Sequence, residues 1–192
     1  MRTVSEMVGS LIIHLYPKRE VEGVRVIFSD LDVDRAECAS RIRSAFEAMV
    51  TIGRGYQATA KRIRYIVVWP GHYTFADGFG GVHLASADLL GISNYALAAV
   101  FVHESTHLRI SARGIKYLPE CRERIERLCV KEQARFLRHV PDHGDEMARD
   151  AESVLAFPWW TQEANDADLK RLFDDNNLPK WLMAITRRRS RQ

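Results

Sequence analysis

Close cysteine pairs, long apolar runs, internal repeats and linkers rich in proline, glycine or serine are all missing from this sequence of 192 residues. Each absence excludes a class. The three cysteines, Cys38, Cys121 and Cys129, are odd in number and fall in stretches that read as helices, so a disulfide framework is not expected. Cys121 and Cys129 also lack the CxxC spacing of a structural zinc site, and they read as small apolar residues of a reduced, intracellular protein. The longest early apolar run, residues 11–16, is interrupted by His14 and is too short to cross a bilayer or to form a signal-peptide core. The expectation is a cytoplasmic protein with no membrane segment. Without repeats or linkers, residues 1–192 read as one compact domain.

A broad basic face is missing too. The formal charge of +3 is accounted for by Arg187, Arg188, Arg189 and Arg191 in a basic, flexible tail at 187–192, and the rest of the chain is close to neutral. A clear nucleic-acid site is therefore not expected. What is present is 46% apolar and 28% charged residues, enough to bury a sizeable core.

Strand signals come early and helix signals late, which predicts an α+β fold. Val24–Phe28 reads as a first strand. Asp30, Asp32 and Asp34 then supply N-cap chemistry to a helix whose Cys38, Ile42, Ala45, Phe46 and Met49 share one face, and Gly53 and Gly55 end it. Residues 63–69 are β-branched and aromatic and close on Pro70-Gly71, predicting a strand. After Gly78, Gly80 and Gly81, Val82-His83-Leu84 reads as a short strand. A helix is expected from Ser93 or Asn94 to about Ser111, with Gly114 as its stop and Leu97, Val100, Phe101 and Leu108 on its buried side. A second long helix is expected over 119–140, between Pro119 and Pro141. Shorter helices follow at 145–155, at 166–173 and from Pro179 onward.

The chemistry sits on the first of the two long helices. His103-Glu104-Ser105-Thr106-His107 is an HExxH pattern, which chance alone would place in roughly 2 of 100 chains of this composition. Residues four apart on a helix differ by about 40° in direction, so the two imidazoles project side by side and can share one Zn²⁺. Glu104 lies on the neighbouring slope, within reach of a water on the metal, and suits the role of general base. A catalytic zinc takes three protein ligands and keeps one position open. The HExxHxxGxxH pattern is excluded, because Ile110 and Arg113 occupy its glycine and third-histidine positions. A glutamate on the second long helix is the natural third ligand. Glu126, with eighteen residues between it and His107, is placed by a helix–turn–helix return. Glu132 competes: it falls within the stripe of Cys121, Ile125, Leu128, Cys129 and Phe136, while Glu126 stands about 100° from Ile125. A carboxylate on that stripe needs a purpose, as ligand, as an acceptor for a ligand histidine, or as the partner of an arginine. Glu120 and Glu123 would need a tighter return.

The pattern from His103 to Glu126 resembles the gluzincin branch of the HExxH zinc metallopeptidases, in which HExxH is followed after eighteen or more residues by a glutamate on a second helix. The resemblance implies zinc as cofactor, His103, His107 and Glu126 as its ligands and Glu104 as general base. It also implies a zincin-like domain, with a small mixed sheet packed on the HExxH helix, and a peptide or protein substrate lying along an edge strand near Val82-His83-Leu84. The chain departs from larger members in having no recognisable second domain and no NEGFA-like surround at Glu126.

Tyr117 and His83 are candidates for stabilising an oxyanion, though each also fits a structural role. His139 and His143 straddle Pro141, so they do not share a helical face as a second metal pair. Basic residues on the second helix alternate with glutamates and read as a solvated face. Phe157-Pro158-Trp159-Trp160 reads as a segment pinned to a core or lining a groove. The competing functional reading is a zinc-containing regulatory or scaffold module that binds protein, nucleic acid or membrane without catalysis.

Overall fold

A computed structural model describes residues 16–71, 73–77 and 79–156. The described chain is a mixed α+β protein, and it divides into two compact units at Ala98–Ala99.

The first unit is organised by strands that are mostly apolar and buried. In β2 (Val24–Phe28), Val24, Val26, Ile27 and Phe28 are all buried, and in β3 (Tyr65–Trp69) so are Ile66, Val67 and Val68. Continuous apolar runs of this kind suit strands covered on both faces, and these two pair in parallel with Val26 opposite Ile66 and Phe28 opposite Val68. β5 (Gly81–Ala85) continues the parallel pairing on the far side of β3, with Val67 opposite His83. Two antiparallel strands, β1 (Lys18–Val21) and β4 (Phe75–Ala76), complete a five-stranded mixed sheet in the order β1-β2-β3-β5-β4.

Both outer strands escape the sequence patterns. β1 (Lys18–Val21) carries Lys18, Arg19 and Glu20, the charged composition that protects a sheet edge, and it turns into β2 through Glu22 and Gly23, both at positive φ. β4 (Phe75–Ala76) pairs with His83 and Val82. The expected edge strand at Val82-His83-Leu84 is therefore an interior strand, because β4 covers its outer side. The reason is local: Asp77 Oδ1 accepts the N–H groups of Phe79 and Gly81, folding the segment before β5 back upon it.

Parallel strands need a crossover, and α1 (Arg35–Ile52) followed by α2 (Arg54–Ala60) makes the one from β2 to β3. Asp34 caps α1 by accepting from Ala36 N and Glu37 N, and the face carrying Cys38, Ile42, Ala45, Phe46 and Met49 is buried, as its spacing predicts. Gly53 ends α1, but α2 starts at the next residue where a plain turn is expected. The strand predicted at 63–69 begins at Tyr65. α3 (Ser86–Gly91) follows β5 directly.

The second unit contains most of α4 (Asn94–Ser111), together with α5 (Pro119–Leu137), α6 (Gly144–Ser153) and a 3₁₀ turn at Val154–Ala156. Gly114, at φ 78°, supplies the left-handed residue that ends α4, and Pro119 opens α5 where a missing N–H costs nothing. Ile110 of α4 meets Ile125 and Cys129 of α5, with Cys121 beside them, and this cluster fixes the helix pair. α5 stops at Leu137, short of the predicted 140: His139 N and Val140 N bond to the carbonyls three residues back as Pro141 approaches. α6 lies against α5, with Arg138 donating to Glu152 at 2.7 Å.

Among the described residues, no helix is long and apolar enough to cross a membrane. The helices expected at 166–173 and from Pro179, the Phe157–Trp160 cluster, the arginine tail, His14 and His72 lie outside the described residues.

Candidate metal centre

Along the middle of α4, Phe101, Val102, Glu104, Ser105, Thr106, Leu108 and Ile110 are buried, and only Val100, His103, His107 and Arg109 retain partial exposure. Residues 100, 103 and 107 form one stripe at helical spacing. Burial around most of the helix explains why Val100, expected in the core with Leu97, Phe101 and Leu108, instead shares the half-open stripe of the histidines.

His103 and His107 turn their Nε2 atoms toward one another at 3.2 Å, with ring planes inclined by 52°. Glu126 reaches them from α5. Its Oε2 lies 3.4 Å from His103 Nε2 and its Oε1 lies 3.4 Å from His107 Nε2. Donors held tetrahedrally at 2.0–2.1 Å from one ion stand roughly 3.3 Å apart. The imidazole nitrogens stand close to that separation, and each lies at a similar distance from one of the two Glu126 oxygens.

The outer contacts orient these groups. His103 Nδ1 lies 3.0 Å from Gln133 Oε1, an acceptor only, so Nδ1 carries the hydrogen and Nε2 presents its lone pair to the cluster. The Tyr117 hydroxyl donates to Glu126 Oε1, its ring meets His107 edge-on at 5.7 Å, and the Arg122 guanidinium stands 5.4 Å from the centre of that ring. Glu126 is 2% exposed, and its Oε2 has no hydrogen-bond partner. Burial pushes this carboxyl upward, but its contacts with His103 and His107 and the Tyr117 hydroxyl outweigh that and hold it at about 2. A buried carboxylate within 3.4 Å of a ring nitrogen of each of two histidines suits a cation. Burial and the Glu126 charge push the Tyr117 phenol well above its ordinary value, so it remains a donor.

Cys129, read from sequence as a small apolar residue, is fully buried and lies in the same place. Its Sγ is within 4.8 Å of a ring nitrogen of each histidine. Burial, then the Glu126 and Glu104 charges, push its thiol far up. Glu104 itself is 5% exposed.

Glu132 does not enter the cluster. It lies 3.7 Å from Arg109 on α4, both side chains partly exposed, and takes the arginine-partner role among its alternatives. The helical wheel centred on Ile125 misplaces the two glutamates because α5 is covered by α4 on one side and by α6 on another; Glu126 falls inside the doubled buried arc while Leu128 is 40% exposed. Gln133 and Cys129 are the residues sequence reasoning missed. A signal existed: counted from Glu126, Arg122, Cys129 and Gln133 all fall within about 60° on the wheel.

The remaining candidates belong elsewhere. His83 stacks on Phe75 with ring centres 4.6 Å apart and contacts Asp77 at 3.2 Å, a structural arrangement within the sheet. His139 Nδ1 bonds to the Arg135 carbonyl and His143 lies 3.6 Å from Glu146. No protein-family model, curated protein or solved structure matches the chain, so the chemistry of the centre has to be read from its own atoms.

Proposed function

We propose that the protein is a zinc-dependent hydrolase, a peptidase of the HExxH type, with His103, His107 and Glu126 as metal ligands and Glu104 as general base. One observation carries the reading: the Nε2 atoms of His103 and His107 lie 3.2 Å apart on one helix, and each stands 3.4 Å from one oxygen of the buried Glu126 carboxylate on the next. The order of elements, a five-stranded mixed sheet followed by the two ligand-bearing helices, supports a zincin-like fold.

Zinc, when bound, supplies Lewis acidity, acidifying water toward a pKa of about 7 and polarising a carbonyl. The protein's own groups do the rest. Gln133 keeps His103 in the tautomer whose Nε2 is free to ligate, and Tyr117 steadies the Glu126 carboxylate. Glu104, one residue beyond the first ligand and in a buried setting, removes the proton from the attacking water and delivers it to the departing amine. The substrate is an amide, with a peptide or protein as the expected source.

Glu104→Gln tests the assignment, because it keeps the side-chain shape and leaves the proposed ligands untouched. With zinc content unchanged, cleavage of a peptide library falls by roughly 10²–10⁴-fold. Equal cleavage by the variant refutes the base; full zinc content in His103→Ala refutes the ligand set.

A further inference from the structure

We propose that Cys129 is a fourth protein donor to this centre, giving a His103, His107, Glu126 and Cys129 set that selects a thiophilic divalent ion. The proposal rests on the metal reading above and extends it to which metal is taken. Two features independent of each other support it. The Cys129 sulfur lies within 4.8 Å of a ring nitrogen of each histidine. Glu126, three residues earlier on α5, brings one carboxylate oxygen to 3.4 Å from Nε2 of each of the same two histidines. Cys129 also closes the Ile110–Ile125 contact that ties α5 to α4, so the sulfur is held in position by packing rather than by its own polarity.

Forming the sulfur–metal bond transfers the thiol proton to solvent, and no electrons change hands. Zinc, cobalt(II) and cadmium favour a thiolate in the set, whereas magnesium and manganese favour oxygen donors. With four donors engaged, the tetrahedral positions are filled.

Cobalt(II) added to the metal-free full-length protein reads this directly. In the wild type, tetrahedral d–d bands appear in the visible together with an intense near-ultraviolet band from thiolate-to-cobalt charge transfer. Cys129→Ser keeps the d–d bands and loses the charge-transfer band. Wild-type d–d bands without charge transfer overturn the role of Cys129 and leave the His–His–Glu centre standing; no cobalt binding at all overturns both. X-ray absorption of the zinc-loaded wild type detects the same bond without a variant, since it needs one sulfur at about 2.3 Å beside nitrogen and oxygen at about 2.0 Å. A shell of nitrogen and oxygen alone rejects the proposal.

Discussion

Replacing the three polar residues of α5 that face or flank the cluster should give a graded series of zinc affinities, with the grading set by distance. Glu126 is the charged corner, 3.4 Å from each imidazole, and Glu126→Gln removes its charge while keeping its shape. Gln133 touches only His103, through Nδ1 at 3.0 Å, so Gln133→Met removes an orienting partner and no ligand. Partners of that kind are worth about 10–100-fold in affinity, or about 1.4–2.7 kcal/mol. A direct ligand must exceed this, and Glu126→Gln should lose more than about 100-fold. Glu132 is engaged with Arg109 at 3.7 Å on the partly exposed side, and Glu132→Gln should change affinity by less than about threefold. Titration against a chromophoric zinc chelator measures all three, with circular dichroism to verify that helix content is kept. Glu132→Gln losing as much as Glu126→Gln, or Gln133→Met binding as tightly as the wild type, would refute the geometry.

Two further perturbations probe the scaffold. Burial alone would raise the Asp77 carboxyl, but His83, the Tyr65 hydroxyl and the N–H groups of Gly81 and Phe79 outweigh it and hold the group at about 2 against an ordinary 3.8. A depressed carboxylate pKa contributes stability that is complete above about pH 4 and disappears as pH falls through about 2, here about 2 kcal/mol. Asp77→Asn should therefore unfold at lower urea at pH 7 and show a shallower loss between pH 4 and 2; identical acid slopes would remove Asp77 from the account. Gly144 opens α6 where a Cβ would stand 2.5 Å from the Leu137 carbonyl oxygen, a backbone atom that no side-chain rotation can move. Gly144→Ala should cost about 1–3 kcal/mol in chemical denaturation, and an unchanged midpoint would show that the α5–α6 turn yields freely.

The elements legible in the sequence are those whose pattern arises from one buried side or from burial throughout. α1 announces itself through Cys38, Ile42, Ala45, Phe46 and Met49, and the run containing Ile66, Val67 and Val68 through the near absence of polar residues. The elements that escaped are short or peripheral. β1 is nearly all charge because an edge strand gains from repelling other edges, and β4 is two residues held by the Asp77 turn instead of by its own side chains. Neither carries enough periodicity to register. Hiding β5 behind β4 was equally unreadable, since that depends on how a turn folds back and not on the strand's own residues.

The centre follows the same logic one level up. The spacing of His103 and His107 is a local property of one helix, so the pair is visible in the sequence as soon as the helix is. What joins them comes from α5, and there the pattern misleads, because a helix covered on two sides has two apolar arcs and a wheel centred on either one mislabels the other. Centred on Ile125, the wheel sends Glu126 outward and Glu132 inward, the reverse of their exposure, 2% for the Glu126 residue and 26% for the Glu132 side chain. Centred on Glu126, the same wheel gathers Arg122, Cys129 and Gln133 into one polar stripe on an otherwise apolar face. Polar residues aligned within a buried arc are expensive unless they share a partner, and the partner available to this stripe is the pair of imidazoles on α4. The alignment of mismatched residues, more than the apolar stripe itself, is what points from α5 to the site.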